Sequence, residues 1–383
     1  MLTLIENGEV YTPEPVGRQS VLLTDGKIGK VGEVNRAALE QLGVEYEVVD
    51  ASGCLVVPGF IDPHMHLLGG SGESGFATQT PEFFISEIVT SGITSVVGAL
   101  GVDTTMKTMA GLLAKVKALN EQGLNAYLWT GGYNVPPTSI MNTVRDDIMF
   151  IQEVIGTGEV AISDLRGMNT STTDLARVVT DSYVGGMLAG KAGVTHFHVG
   201  EADRRLEPLR MILDEHDVEP ASIYATHVER TEKLMREAID LAKRGCNVDV
   251  DTIAEDLPKQ FRFYHDHGGP PEHFTASSDA AISSPRVFFE QVRSCVTEAG
   301  YPLEKVLPLV TSNTARILKL DRKGRLKRGN WGDVLLLETG TLDIVHVISR
   351  GVFMVRHGSL VAEERFLKES RREIHLVGRG ESE

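Results

Sequence analysis

Two histidines one residue apart, His64 and His66, close the stretch Pro58-Gly59-Phe60-Ile61-Asp62-Pro63-His64-Met65-His66. The apolar run Leu55-Val56-Val57 leads into it, and a glycine-rich loop over residues 69–75 follows. The run is short and rich in β-formers, so it reads as a buried strand. Side chains two apart on a strand share a face. Both imidazoles therefore project from the strand's C-terminal end, where they can share a metal such as zinc. Other residues with metal chemistry stand at similar places. His196 and His198 lie in one β-rich run, His227 ends another, and Asp279 follows Ser277-Ser278. Catalytic zinc keeps a position open for water, and two neighbouring metals can share a hydroxide. Asp279 could take that water's proton and pass it to a leaving amine.

Residues so scattered need a scaffold that gathers them. Eight β-rich runs are expected, one ending at His66 and the others at 94–100, 126–133, 160–165, 195–199, 223–228, 247–252 and 274–280. Amphipathic segments separate them. One covers 105–121, with Met109, Leu112, Leu113, Val116 and Leu119 at helical spacing, and another covers 232–244. Strands alternating with helices predict a parallel sheet, and eight such units fit an α/β (β/α)8 TIM barrel over 58–320. Barrel enzymes carry catalytic groups at the C-terminal strand ends, where Tyr133 also falls.

The flanks read differently. Residues 1–57 look all-β, with strands at 2–5, 20–24, 28–31 and 45–50, and Asp25-Gly26 marks a hairpin. Further strands are expected at 334–337, 345–348 and 351–355. Residues 1–57 and 321–383 together predict a small β-sandwich-like domain built from both ends. The polar stretch from about Arg371 is expected to fray.

The chain has 383 residues, 42% of them hydrophobic, which suits a large domain with a smaller one. Its 38 basic and 53 acidic residues leave a charge of −15, which argues against nucleic acid. No stretch is apolar and long enough to span a membrane, and MLTLIENGEVYTPEP has no secretory pattern. The three cysteines, Cys54, Cys246 and Cys295, show no CxxC spacing, which points to reduced thiols in the cytoplasm.

The histidine and aspartate set resembles that of the amidohydrolase superfamily. Within it, the chain is similar to the isoaspartyl dipeptidases over nearly its whole length. The resemblance lies in residues 58–73, Thr94-Ser95-Val96-Val97-Gly98, Thr130-Gly131-Gly132-Tyr133, Ala161-Ile162-Ser163-Asp164-Leu165-Arg166, Thr226-His227-Val228-Glu229-Arg230 and Ser277-Ser278-Asp279. It implies two divalent metals, zinc being expected, one on His64, His66 and Asp279 and one on His198 and His227. It implies that Asp279 shuttles the proton and that Tyr133 stabilises the oxyanion. It assigns the substrate ammonium to Glu73, the two α-carboxylates to Arg166 and Arg230, and a further contact to Ser283. A small β-aspartyl dipeptide, with two carboxylates and one ammonium, complements two arginines and a glutamate. The resemblance also implies a symmetric homo-oligomer, an octamer.

One position departs from that family. Where its members carry a lysine carbamate bridging both metals, this chain has Glu159 and no nearby lysine, so no carboxylated lysine is expected. A glutamate offers the same two oxygens and charge on a shorter arm, so backbone or metals must move to close the gap. Glu159 is therefore expected to bridge the two metals, the alternatives being a single-metal site or an impaired enzyme. His196 shares a face with His198 and is expected lower in the barrel or behind the ligands. His216, His265, His267, His273, His346, His357 and His375 read as surface or structural residues. Two other functions compete: a cyclic-amide hydrolase or N-acyl amino acid deacylase, and a catalytically inactive relative that serves as a binding protein.

Overall fold

The computed structural model describes residues 2–41, 43–253 and 256–371. His375 and the tail expected to fray lie outside the described residues, apart from Arg371 itself.

Eight parallel strands form a barrel in sequential order: β1 (Phe60–Met65), β2 (Ile93–Gly98), β3 (Asn125–Thr130), β4 (Val154–Ile162), β5 (Val194–Val199), β6 (Ile223–Thr226), β7 (Asn247–Asp251) and β8 (Phe274–Ser277). Residues just past β8 meet the end of β1. Asp279 N–H donates to the His64 carbonyl at 3.0 Å, and His66 N–H donates to the Ala280 carbonyl at 2.9 Å. That seam places two ends of the expected ligand set side by side.

The intervening helices follow from capping and apolar spacing. In Thr172–Ala189, Ser171 caps the N-terminus by accepting from Asp174 N–H, and Gly190 ends the helix at φ 67°. In Glu232–Lys243, Thr231 caps, while Leu234, Met235, Ala238, Ile239, Leu241 and Ala242 are buried on one face. On the first strand, Phe60 is fully buried against Phe288 and Phe289. Burial of such a ring contributes about 1.5–3 kcal/mol.

Among the described residues, segments from both ends of the chain build a second, nine-stranded mixed sheet. Its join is the antiparallel pairing of Cys54–Pro58 with Val334–Glu338. The predicted hairpin is present: Pro15–Thr24 and Lys27–Gly32 are linked by Asp25 and Gly26, both at positive φ. Asp333 ties this sheet to the barrel floor. It accepts from Lys323 Nζ at 2.7 Å, Asn125 Nδ2 at 3.1 Å and Arg350 N–H at 2.8 Å.

Three expectations need correction. Leu55-Val56-Val57 and the histidine stretch are not one strand: the apolar run pairs in the terminal sheet, and the histidine strand starts afresh at Phe60. The chain passes between sheets at Gly59, where a Cβ would lie 2.2 Å from Thr94 Oγ1. The N-terminal region is not all-β, since Arg36–Gln41 is helical. The fourth strand begins at Val154 rather than 160, so Glu159 lies inside it. Among the described residues no helix is long and apolar enough to cross a membrane.

Candidate active site

The ligand candidates converge at the C-terminal side of the barrel. His64 is on β1, His66 just beyond it, His198 on β5, His227 one residue past β6 and Asp279 two past β8. His66 Nε2 lies 2.9 Å from Asp279 Oδ1, and His64 Nε2 lies 3.4 Å from the same oxygen. His227 Nε2 is 4.0 Å from Asp279 Oδ2.

Glu159 sits amid these rings. Its Oε1 is 3.5 Å from His66 Nε2; its Oε2 is 3.4 Å from His64 Nε2, 3.3 Å from His198 Nδ1 and 3.7 Å from His227 Nε2. Thr157 pairs with Thr195 but Val160 with Phe197, so β4 carries one extra residue, a bulge, at Glu159. Bulges re-aim side chains next to active sites. The preceding Gly158 has no room for a side chain, since a Cβ would lie 2.7 Å from His196 Cβ. His227 and Asp279 both take left-handed backbone conformations, φ 65° and 42°, which cost energy in non-glycine residues.

The electrostatics favour a cation. Burial opposes charge on Glu159 and Asp279, yet His64 and its neighbouring histidines hold both carboxyls below the usual range. Conversely, burial would lower His64, but Glu159 and Asp279 raise it to about 9. Both ring nitrogens of His64 and Oε1 of Glu159 are buried without a hydrogen-bond partner among the described residues. Such orphaned polar atoms need an explanation, and an ion provides one. The imidazole and carboxylate set suits zinc.

Two aspartates not singled out from the sequence stand behind the histidines. Asp251, at the end of β7, places Oδ2 2.6 Å from His227 Nδ1. Asp164 places Oδ2 2.9 Å from His198 Nε2. Asp249 and Asp251 alternate along a fully buried strand, a pattern that flags inward-facing carboxylates. Deeper still, Asp249 accepts from the hydroxyls of Thr226, Thr275 and Ser277. His196 is lower than the ligands' cluster, stacked on Trp129 at 5.1 Å and edge-on to His64 at 4.9 Å.

Groups suited to a zwitterion ring the mouth. Arg166 Nη1 donates to Glu73 Oε1 at 2.7 Å, and the guanidinium lies over the Tyr133 ring at 5.4 Å. Arg166 and Arg230 line one cavity of about 590 Å³ with Asp164, Leu165, Glu201 and Ala202. Arg230 Nη1 donates to the exposed Glu201 at 3.3 Å. Tyr133 O–H meets His198 Nδ1 at 2.8 Å, and burial pushes its pKa well above 10, so the phenol stays neutral. Ser283 is half-buried on the loop after β8 and makes no hydrogen bond to these residues.

The Amidohydrolase family model matches residues 55–361. The structure of a β-aspartyl dipeptidase from the thermophilic, keratin-degrading Fervidobacterium islandicum AW-1 superposes with a TM-score of 0.90 at 38% identity, covering 94% of this chain and 98% of that one. A β-aspartyl dipeptidase structure from the same organism holding β-Asp-Leu superposes at 0.88 with 36% identity, over 94% and 97% of the chains. A D-hydantoinase of Geobacillus stearothermophilus is 43% identical over 67 residues, which is 18% of this chain. That match spans only 13% of the hydantoinase's own length.

Proposed function

The chain belongs to the amidohydrolase family, and from that premise we propose that it hydrolyses β-aspartyl dipeptides with the help of two divalent metal ions, zinc being the expected pair. The observation that carries this reading is the placing of Glu73, Arg166 and Arg230 around the mouth of the histidine–carboxylate cluster.

His64, His66 and Asp279 would hold one ion and His198 and His227 the other, with Glu159 between them. Bound there, divalent ions polarise the amide carbonyl and lower the pKa of water to near neutrality. The chain's own residues do the rest. Asp279, facing His66 through Oδ1 and His227 through Oδ2, takes the attacking water's proton and returns it to the leaving nitrogen. Neutral Tyr133 donates its O–H to the carbonyl oxygen as negative charge builds there.

Substrate enters by exchange. The ammonium replaces Arg166 as partner of Glu73, while α-carboxylates engage Arg166 and Arg230, whose forks suit them. Ser283 supplies a further contact on the same face. A cyclic amide has no ammonium for Glu73, which weighs against a hydantoinase-like role. Three buried, unpaired cysteines fit a reducing cytoplasm, and homo-oligomeric assembly is part of the same proposal. Turnover of β-Asp-Leu beside α-Asp-Leu, with metal analysis of the sample, tests the reading.

A further inference from the structure

Asp164 serves two groups with different tasks. Its Oδ2 is 2.9 Å from His198 Nε2 and also accepts from Arg166 Nη2 at 2.8 Å. Its Oδ1 accepts from Arg166 Nε at 3.0 Å and from the Arg166 backbone N–H at 2.7 Å. Its side chain is only 7% exposed.

We propose that Asp164 is a positioning residue that couples the His198 metal position to carboxylate recognition by Arg166. The second half of this inference rests on the dipeptidase reading, whereas the first rests on the geometry at His198.

At His198 the carboxylate selects a tautomer. His198 turns Nδ1 toward Glu159 at 3.3 Å and the Tyr133 hydroxyl at 2.8 Å, and that atom can ligate only if it is free of a proton. Nε2 lies 2.9 Å from the Asp164 carboxylate and 3.2 Å from Arg166 Nη2, and the nearer carboxylate takes the ring's single N–H and so leaves Nδ1 as the electron-pair donor. At Arg166 the same carboxylate sets a direction. Asp164 occupies the Nε and Nη2 edge of the guanidinium, so Nη1 is the corner that faces Glu73 and the substrate. One carboxylate thereby sets both a ligand's donor atom and a recognition group's direction. A partner serving Arg166 alone would have no need to sit 2.9 Å from a histidine nitrogen.

The test uses the full-length, zinc-reconstituted protein and a chromophoric chelator that competes for zinc. Asp164→Asn keeps the shape and removes the charge. It should weaken one of the two zinc equivalents by about tenfold to a hundredfold, as expected for loss of a ligand's hydrogen-bond partner. The other equivalent should stay unchanged, and KM for β-Asp-Leu should rise at least about tenfold by the same loss of positioning. Arg166→Met should raise KM while leaving the zinc titration as in the wild type. Asp164→Glu, which keeps the charge, should recover zinc affinity toward the wild type even if the asparagine variant folds poorly. Two zinc equivalents of wild-type affinity in Asp164→Asn would overturn the proposal. An equal zinc defect in Arg166→Met would overturn it too, since the effect would then pass through the arginine. A wild-type protein inert toward β-Asp-Leu sinks the dipeptidase reading instead, and the zinc titration still decides the hold on His198.

Discussion

Asp251 Oδ2 lies 2.6 Å from His227 Nδ1, so the ring's other nitrogen is the one turned toward Glu159, 3.7 Å away. The carboxylate fixes which nitrogen carries the proton and how the ring is aimed. Asp251→Asn should therefore lower zinc affinity by about tenfold to a hundredfold while the fold persists. Zinc titration with circular dichroism checks this. Unchanged zinc affinity would mean that the contact is incidental.

Glu159 carries a second expectation. A lysine carbamate needs carbon dioxide, whereas a glutamate is already a carboxylate near neutral pH. Zinc loading should proceed equally in bicarbonate-free and bicarbonate-containing buffer, and Glu159→Ala should reduce bound zinc per chain. Loading that requires bicarbonate would contradict a bridging role for this residue.

The pH dependence of loading follows from His64. Burial works against its charge, but Glu159 and Asp279 raise its pKa to about 9. Below that pH the metal-free ring is protonated, and a cation must displace the proton. Apparent zinc affinity should thus rise with pH and level off above about 9, with protons released on binding. Calorimetry in buffers of different ionisation enthalpy measures that release. A pH-independent affinity with no proton release would contradict the assignment of His64.

Arg230 tests recognition. If it holds an α-carboxylate of the substrate, Arg230→Met should cut kcat/KM by about 2–5 kcal/mol, or one and a half to nearly four orders of magnitude. An amidated dipeptide lacking the matching carboxylate should lose as much with the wild type. Equal turnover of the acid and the amide would remove Arg230 from recognition.

The parts of this site that were legible in the sequence are those with a period or a motif. His64 and His66 declare themselves by strand spacing, and the strand–helix alternation implies a barrel. That Cys54–Pro58 and Phe60–Met65 are separate strands was not legible, because the apolar residues on either side of Gly59 read as one run. Nor was the start of β4 at Val154, since a bulge breaks the alternation that marks a strand. Asp164 was hidden because an aspartate in a loop has no periodicity, and its meaning comes from His198, 34 residues on and adjacent only in the folded chain. The small helix Arg36–Gln41 buries a single residue, Leu39, so it left little apolar pattern to read.

The histidine–carboxylate cluster, ringed by Glu73, Arg166 and Arg230, is proposed to cleave β-aspartyl peptide bonds. The most direct measurement is turnover of β-Asp-Leu and α-Asp-Leu by one metal-analysed preparation, before and after chelation and zinc return. Two divalent ions per chain are expected, with cleavage of the β-linked peptide alone, loss of activity on chelation and its recovery with zinc. Equal cleavage of the two peptides, or β-Asp-Leu hydrolysis that survives complete metal removal, would contradict it.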